Sequence, residues 1–458
     1  MPTAPAASLP PLRPMAGWGR VHRPGREQHG EDLAALAPRS TLSRGLGRSY
    51  GDSSLPASEG DIALNTVLAD RLLAFDPGTG RVRAEAGFTM RELYRVFLPR
   101  GWFAPVTPGT SFVTLGGMVA SDVHGKNHHS DGTFGQHVTA LRLMVADGRV
   151  IDCSPTTEAD LFWATIGGMG LTGHILEVEF CLRKVPSPWI YQLTERVPDL
   201  DTFLRRLDEV GHEWPMSMGW IDCISRGANM GRGHLMAGRW ATAEEAPARF
   251  PRQLPRIRLP VELPDLALSP WSVRAFNFLY YWKHLRRSSR GIVHPEVFFY
   301  PLDAILDWNK GYGKRGFTQY QVVLPRADAR RSAKAFFELL TREGGASFLC
   351  VIKDCAEEGQ GVLSFPLPGI SVALDIKITD TTQRLVDRLN SFVISAGGRI
   401  YLTKDQFTRA EDYRAMDPRV DRFLAIRRAW DPTLRLRSAQ SMRLFDGDQP
   451  TMPHRERP

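Results

Sequence analysis

Apolar and polar positions follow two rhythms along this chain, and the change of rhythm divides it. Leu176, Val178, Phe180 and Leu182 alternate with Glu177 and Glu179, the period of a half-buried strand. Upstream, residues 141–146 and 149–153 flank Asp147-Gly148, a dipeptide suited to the positive φ angles of a tight hairpin turn. Helices of clear period are few in this first part. One opens on a Thr89/Glu92 capping pair, shows an apolar face of Leu93, Val96 and Phe97, and is stopped by Pro99 and Gly101. From about residue 186 to 398, strands alternate with amphipathic helices, including 327–342 and 380–396, which predicts an antiparallel sheet covered by helices on one side. The fold class expected is α+β.

The length of 458 residues exceeds what one hydrophobic core usually organises, so two domains with room for a large cofactor are expected. No apolar run approaches the roughly 20 residues that cross a bilayer, and residues 1–15 lack the basic and apolar regions of a signal peptide. The five cysteines are scattered and outside any CxxC spacing, which suggests neither a disulfide framework nor a zinc site. A net charge of +8 suits an anionic partner without choosing among nucleic acid, an acidic membrane and a phosphorylated substrate. Residues 249–291 combine arginines (Arg252, Arg256, Arg258, Arg286, Arg287, Arg290) with aromatics (Trp271, Phe276, Phe278, Tyr281, Trp282). Two readings stand side by side for them: a mobile lid that touches lipid headgroups, and a buried aromatic helix with a solvated basic end.

Three glycine-rich segments carry the candidate chemistry. In Ser43-Arg44-Gly45-Leu46-Gly47-Arg48-Ser49-Tyr50-Gly51-Asp52, three glycines let successive N–H groups turn toward one anion, with two arginines for charge; a pyrophosphate fits, as does a plain glycine turn. The spacing is not a Rossmann fingerprint, because a loop follows it and not a helix. The second segment runs Thr107-Pro108-Gly109-Thr110, then Thr114-Leu115-Gly116-Gly117 to Ser121-Asp122-Val123-His124-Gly125-Lys126. Its small residues admit a flat ligand; His124 and His128 lack a carboxylate to complete a metal set, so no metal is expected. The third, Gly167-Gly168-Met169-Gly170-Leu171-Thr172-Gly173, contains GxGxxG but follows a helix and leads into a strand, the reverse of the dinucleotide-binding order.

Together, in this order, the three segments resemble the vanillyl-alcohol-oxidase family with its PCMH-type FAD-binding domain. The resemblance runs over nearly the whole chain, through Gly17-Trp18-Gly19-Arg20, the run 161–168, Trp220, Gln319-Tyr320-Gln321, Lys353, 363–366, Tyr401-Leu402-Thr403-Lys404-Asp405 and 418–421. It extends to the branch that oxidises decaprenylphosphoryl-β-D-ribose at its 2′-hydroxyl, which these segments closely resemble. The resemblance implies an FAD-binding domain at 8–186, an inserted substrate-binding domain at 187–398 and a return segment at 399–446 that completes the first. It places FAD against Ser43 to Ser53, Gly109, Thr114 to Gly117, Ser121 to His124, Ile175 and Tyr401. Binding is expected to be non-covalent, since Arg48 stands where histidine-linked relatives carry the attachment residue.

For the reaction, the resemblance puts Lys404 beside the flavin and the reacting sugar, with His124, Tyr50, Gln321 and Lys353 in support and Trp220 walling the pocket. Ala373 replaces a cysteine that other members carry, so inhibitors that capture that thiol are not expected to attach. A polyprenyl-phosphoryl ribose is the expected substrate, with a separate NAD(P)H-dependent reductase for the 2′-keto product and a cytoplasmic location peripheral to the inner membrane. The alternatives are an FAD-dependent oxidase of free alditols or aldonolactones and, from another class, a basic nucleic-acid-binding protein, which would leave three glycine loops unused. No nucleic-acid partner is expected.

Overall fold

In a computed structural model, residues 9–264, 269–345 and 347–446 are described. The chain opens on a four-stranded sheet in the order Arg13–Ala16, His22–His29, Ile62–Asn65, Leu42–Arg44, parallel except for the first pair. An antiparallel five-stranded sheet follows, ordered Leu72–Asp76, Arg81–Glu85, His174–Cys181, Val138–Met144, Val150–Cys153. The hairpin turns on Gly148, whose φ of 90° is the left-handed value that a side chain resists. The predicted early helix is Met90–Phe97, where the Thr89 side chain accepts from the Glu92 N–H and Leu93 and Phe97 enter the core. The third glycine segment lies between the helix Ala159–Thr165 and the strand His174–Cys181, so its GxGxxG is not a Rossmann loop.

An antiparallel sheet of eight strands dominates the rest. Its order is Ser288–Val293, Ile190–Val197, Gly233–Trp240, Met216–Ile221, Cys350–Cys355, Gly369–Lys377, Phe317–Pro325, Arg399–Ile400. The helices Leu200–Glu213, Ala329–Arg342 and Thr382–Ser395 bury Phe203, Phe336 and Leu389 in one core with Leu193, Val322, Ile352 and Val372. Those sheet residues share a face because side chains alternate along a strand. The other face carries Gln192, Thr194, Gln319, Gln321, Lys353, Ser371 and Ala373 and looks into a cavity. The last strand, Arg399–Ile400, pairs with Val322 and Val323, so the segment after 398 begins as an edge of this sheet, and Tyr413, Phe423 and Leu444 of its helices join the same core.

Residues 270–293 form the helix Pro270–Trp282 and the edge strand Ser288–Val293. Tyr281 is buried, but most of the rings are not buried as an aromatic core helix would bury them: Trp271 is 77% exposed and Phe278 52%, with Leu279 and Leu285 exposed beside them. Among the described residues, no helix is long and apolar enough to cross a membrane.

Candidate active site

The polar face of the large sheet and the glycine loops of the first half enclose a cavity of about 1310 Å³. One drug-sized ligand usually occupies a pocket of about 300–1,000 Å³, so this one has room for two. Strand register assembles its floor. Gln321 lies opposite Ala373, Gln319 opposite Asp375, and Lys353 opposite Ser371.

Lys404 reaches the floor from the loop after Arg399–Ile400, with Nζ 3.9 Å from the centre of the Tyr50 ring. Burial, opposed by Asp375 and reinforced by Lys353, pulls its amine down to about 7. Asp375 is the counter-charge; it accepts from Tyr312 Oη and Gln319 Nε2, both at 2.6 Å, and burial pushes its carboxyl up to about 6. Burial also lowers Lys353, and it brings Lys126, with Lys353 beside it, to about 7. Burial holds the Tyr50 phenol well above its ordinary range, so it stays protonated.

Gln321 Nε2 donates to His124 Nε2 at 2.8 Å and to Ser371 Oγ at 3.2 Å. An amide nitrogen only donates, so the proton of the ring belongs on Nδ1, a buried atom with no partner. Burial, with Lys353, His128 and Lys404 nearby, keeps His124 neutral. Tyr401 closes this corner by donating to the Ser121 carbonyl at 2.8 Å, and its ring centre lies 5.0 Å from that of His124.

All five catalytic candidates, Tyr50, His124, Gln321, Lys353 and Lys404, line this one cavity, as do Trp220 and Ala373. Most of the expected FAD residues line it too, from Ser43 and Gly45 to Ser53 and from Gly109 to Ile175 and Tyr401. Arg44, Gly51, Asp52, Leu115 and Asp122 do not. Arg44 is used locally: it donates to the Ala16 carbonyl and Ser54 and lies 3.5 Å from Glu27. Asp52 pairs with Arg443, which also holds Asp405 at 2.9 Å and so ties the first loop to the segment bearing Lys404. Leu115 is core, and Asp122 accepts from Ser364 and the Gly135 N–H.

Asp375, Tyr312 and Ser371 were not legible as site residues. The one signal was the carboxylate of Asp375 between Leu374 and Ile376 in the mostly apolar strand Gly369–Lys377.

These residues fit FAD. A Cβ on Gly45 would lie 2.3 Å from Thr114 Oγ1, so the first two loops meet only because residue 45 has no side chain. Gly109 and Gly170 have nothing within 4 Å of a Cβ and leave bare main chain facing the cavity, and the unpartnered His124 Nδ1 offers a donor on the same wall. When bound, FAD supplies a two-electron hydride acceptor.

Comparison with known proteins agrees. Residues 20–154 match the family model of an FAD binding domain. The chain is 35% identical over 402 residues to the decaprenylphosphoryl-β-D-ribose oxidase of Mycolicibacterium smegmatis, covering 86% of each chain. It is 28% identical over 192 residues to mouse L-gulonolactone oxidase, covering 40% of this chain and 42% of that one. Human Δ(24)-sterol reductase is 30% identical over 116 residues, 25% of this chain and 22% of its own. Fold, cavity and matches define an FAD-dependent oxidoreductase with an α+β, PCMH-type FAD-binding domain. Within that class, the chain belongs to the decaprenylphosphoryl-β-D-ribose oxidase family.

Proposed function

We propose that this chain oxidises the 2′-hydroxyl of a polyprenyl-phosphoryl ribose, decaprenylphosphoryl-β-D-ribose or a near relative, to the 2′-keto sugar, with FAD bound non-covalently. The observation that carries this reading is the meeting of Lys404, Tyr50, Gln321 and Lys353 on one polar wall of a cavity shared with the glycine loops. Oxidation removes a hydride from C2 and a proton from its oxygen. Bound FAD would supply the two-electron acceptor for that hydride, and Lys404 in its neutral form takes the proton. Gln321, Lys353 and Tyr50 orient the sugar, and the His124–Gln321 hydrogen bond fixes the amide that does so.

Among the cavity-lining residues are nine lysines and arginines, namely Arg48, Arg91, Lys126, Arg256, Arg258, Lys283, Arg290, Lys353 and Lys404, against the carboxylates of Asp303 and Asp307. This excess favours an anionic substrate over a free polyol. Anaerobic addition of decaprenylphosphoryl ribose is expected to bleach the visible flavin band, and xylitol or gulonolactone is not. Bleaching by the free polyols alone would replace this reading with the alditol or aldonolactone oxidase. The 2′-keto product is a substrate for a separate NAD(P)H-dependent reductase, which completes the epimerisation.

A peripheral membrane position, on the cytoplasmic face, follows from the same substrate. Residues 269–294 contain five lysines and arginines and no aspartate or glutamate. Trp271, Leu279 and Leu285 stand out from them, while Tyr280, Lys283 and Arg290 line the cavity. Apolar side chains flanked by cations bind anionic bilayers. The protein is expected to co-sediment with phosphatidylglycerol vesicles and not with phosphatidylcholine vesicles. The double variant Trp271→Ser, Leu285→Ser should bind about tenfold more weakly; equal binding by the variant would rule this face out.

A further inference from the structure

Three arginines converge on one phenyl ring at the cavity wall. The guanidinium carbons of Arg48, Arg256 and Arg91 lie 5.0, 5.1 and 5.4 Å from the centre of the Phe112 ring. Arg48 also stacks on Trp18 at 3.9 Å. Each of the three has a buried Nε with no hydrogen-bond partner. They come from separate parts of the chain, the first glycine loop, the helix Met90–Phe97 and the stretch before Ile257–Arg258, so only the fold brings them together.

Carboxylates do not balance this charge. Asp303, the acid that acts most on Arg48, is occupied by Thr110 Oγ1 at 2.6 Å, the Ser111 N–H at 2.8 Å and Ser111 Oγ at 2.7 Å. Asp307 holds Arg258 at 2.6 Å and Lys310 at 3.3 Å. Glu296 sits 3.5 Å from Arg256 and, among the described residues, is the one carboxylate paired with any of the three. Burial lowers Arg48, and burial with the neighbouring Arg256 and Arg95 lowers Arg91, as expected of cations held together without enough counter-charge. Cations so placed cost stability unless an anion joins them, and a guanidinium fork matches phosphate oxygens in pairs.

We propose that the side chain of Arg48, whose main chain stays with the glycine loop expected to hold FAD, joins Arg91 and Arg256 around Phe112 as the subsite for a phosphate monoester or diester, and that the group it receives in turnover is the phosphoryl link between sugar and lipid. The second half of this statement rests on the oxidase reading above; the first does not. Position supports the pairing. Lys404 covers the Tyr50 ring, and Tyr50 and Arg48 belong to the same loop two residues apart and interact electrostatically, so the arginine lies near the reacting end. In a ribosyl phosphate, the phosphoryl group is on the carbon next to the one oxidised, so the two groups must be recognised side by side. Beyond Arg48 the wall turns apolar at Trp18, Phe112 and Trp308, which suits the start of a lipid chain.

The test uses FAD-loaded protein and three probes: farnesyl phosphate, farnesol and inorganic phosphate, with binding read by Trp fluorescence. In Arg48→Gln, farnesyl phosphate is expected to bind about 10- to 100-fold more weakly, the range for losing charge-assisted hydrogen bonds. Farnesol should bind both proteins alike, and inorganic phosphate should displace farnesyl phosphate from the wild type only. The partly exposed Arg91→Gln, a milder change, should show a smaller loss in the same direction. Unchanged farnesyl phosphate affinity in both variants would overturn the subsite. So would loss of FAD from Arg48→Gln, because it would give the guanidinium to the cofactor diphosphate. If decaprenylphosphoryl ribose fails to bleach the flavin while farnesyl phosphate still binds through Arg48, the oxidase reading falls and the subsite stands. If the substrate is turned over with the same KM by wild type and Arg48→Gln, the oxidase reading stands and the subsite falls.

Discussion

Lys404→Met is expected to slow substrate-driven bleaching of the flavin by about 10³-fold, within the range for removing a positioned general base. FAD content should not change, because the methionine keeps an apolar stem against the Tyr50 ring. Nor should the melting temperature fall much, since removing the partly buried lysine relieves a desolvation cost while Asp375 keeps its hydrogen bonds from Tyr312 and Gln319. The pH profile separates the base from a fixed charge. With its amine at about 7, Lys404 is cationic below that pH and neutral above it, so a base mechanism gives a rate that rises as pH increases through about 7 and then levels. Asp375, protonated below about 6, removes the counter-charge on the acid side and leaves the sign unchanged. Lys404→Arg keeps the cation and cannot deprotonate, so it should stay within about tenfold of the methionine variant. Full activity in the arginine variant, or a flat wild-type profile, would mean that Lys404 acts only through its charge.

What the sequence made legible follows from how local each signal is. The loop from Ser43 to Ser53 is readable because its glycine spacing states a backbone requirement, and the helix at Met90–Phe97 because its cap lies next to its apolar face. Arg44 shows the limit of that reasoning. A flanking arginine looks like an anion ligand, yet a glutamate from the neighbouring strand His22–His29 takes it, a contact with no local signal. The floor of the site was harder still. Phe317–Pro325 is buried on both faces, so burial does not distinguish Gln319 and Gln321, which face the cavity, from Tyr320 and Val322, which face the helices. Only strand register brings Asp375, Ser371 and Lys353 beside them. Those positions entered as candidates through resemblance, where they entered at all; Asp375 and its hydrogen bond from Tyr312 come from tertiary structure alone.

Gly109→Leu is expected to weaken FAD binding by about 5- to 150-fold while the FAD-free protein keeps its melting temperature. The two halves of this prediction rest on one observation: a Cβ at Gly109 meets nothing within 4 Å, so the fold itself does not require glycine there. Its backbone is not in the left-handed region, so a leucine adds no strain. The new side chain enters the cavity between Thr107 and Thr114, where the FAD isoalloxazine or ribityl chain is expected, and forcing extra volume against a packed ligand costs about 1–3 kcal/mol or more. Gly291 supplies the control. It also lines the cavity with nothing within 4 Å of a Cβ, but it lies on the edge strand Ser288–Val293, across from the glycine loops. Gly291→Leu should therefore purify yellow with full FAD and lose affinity for the lipid substrate instead. The ratio of flavin to protein absorbance after dialysis from excess FAD reads both variants. A fully loaded Gly109→Leu protein would move the cofactor off the Thr107 to Thr110 segment, and a colourless Gly291→Leu protein would place it against the large sheet.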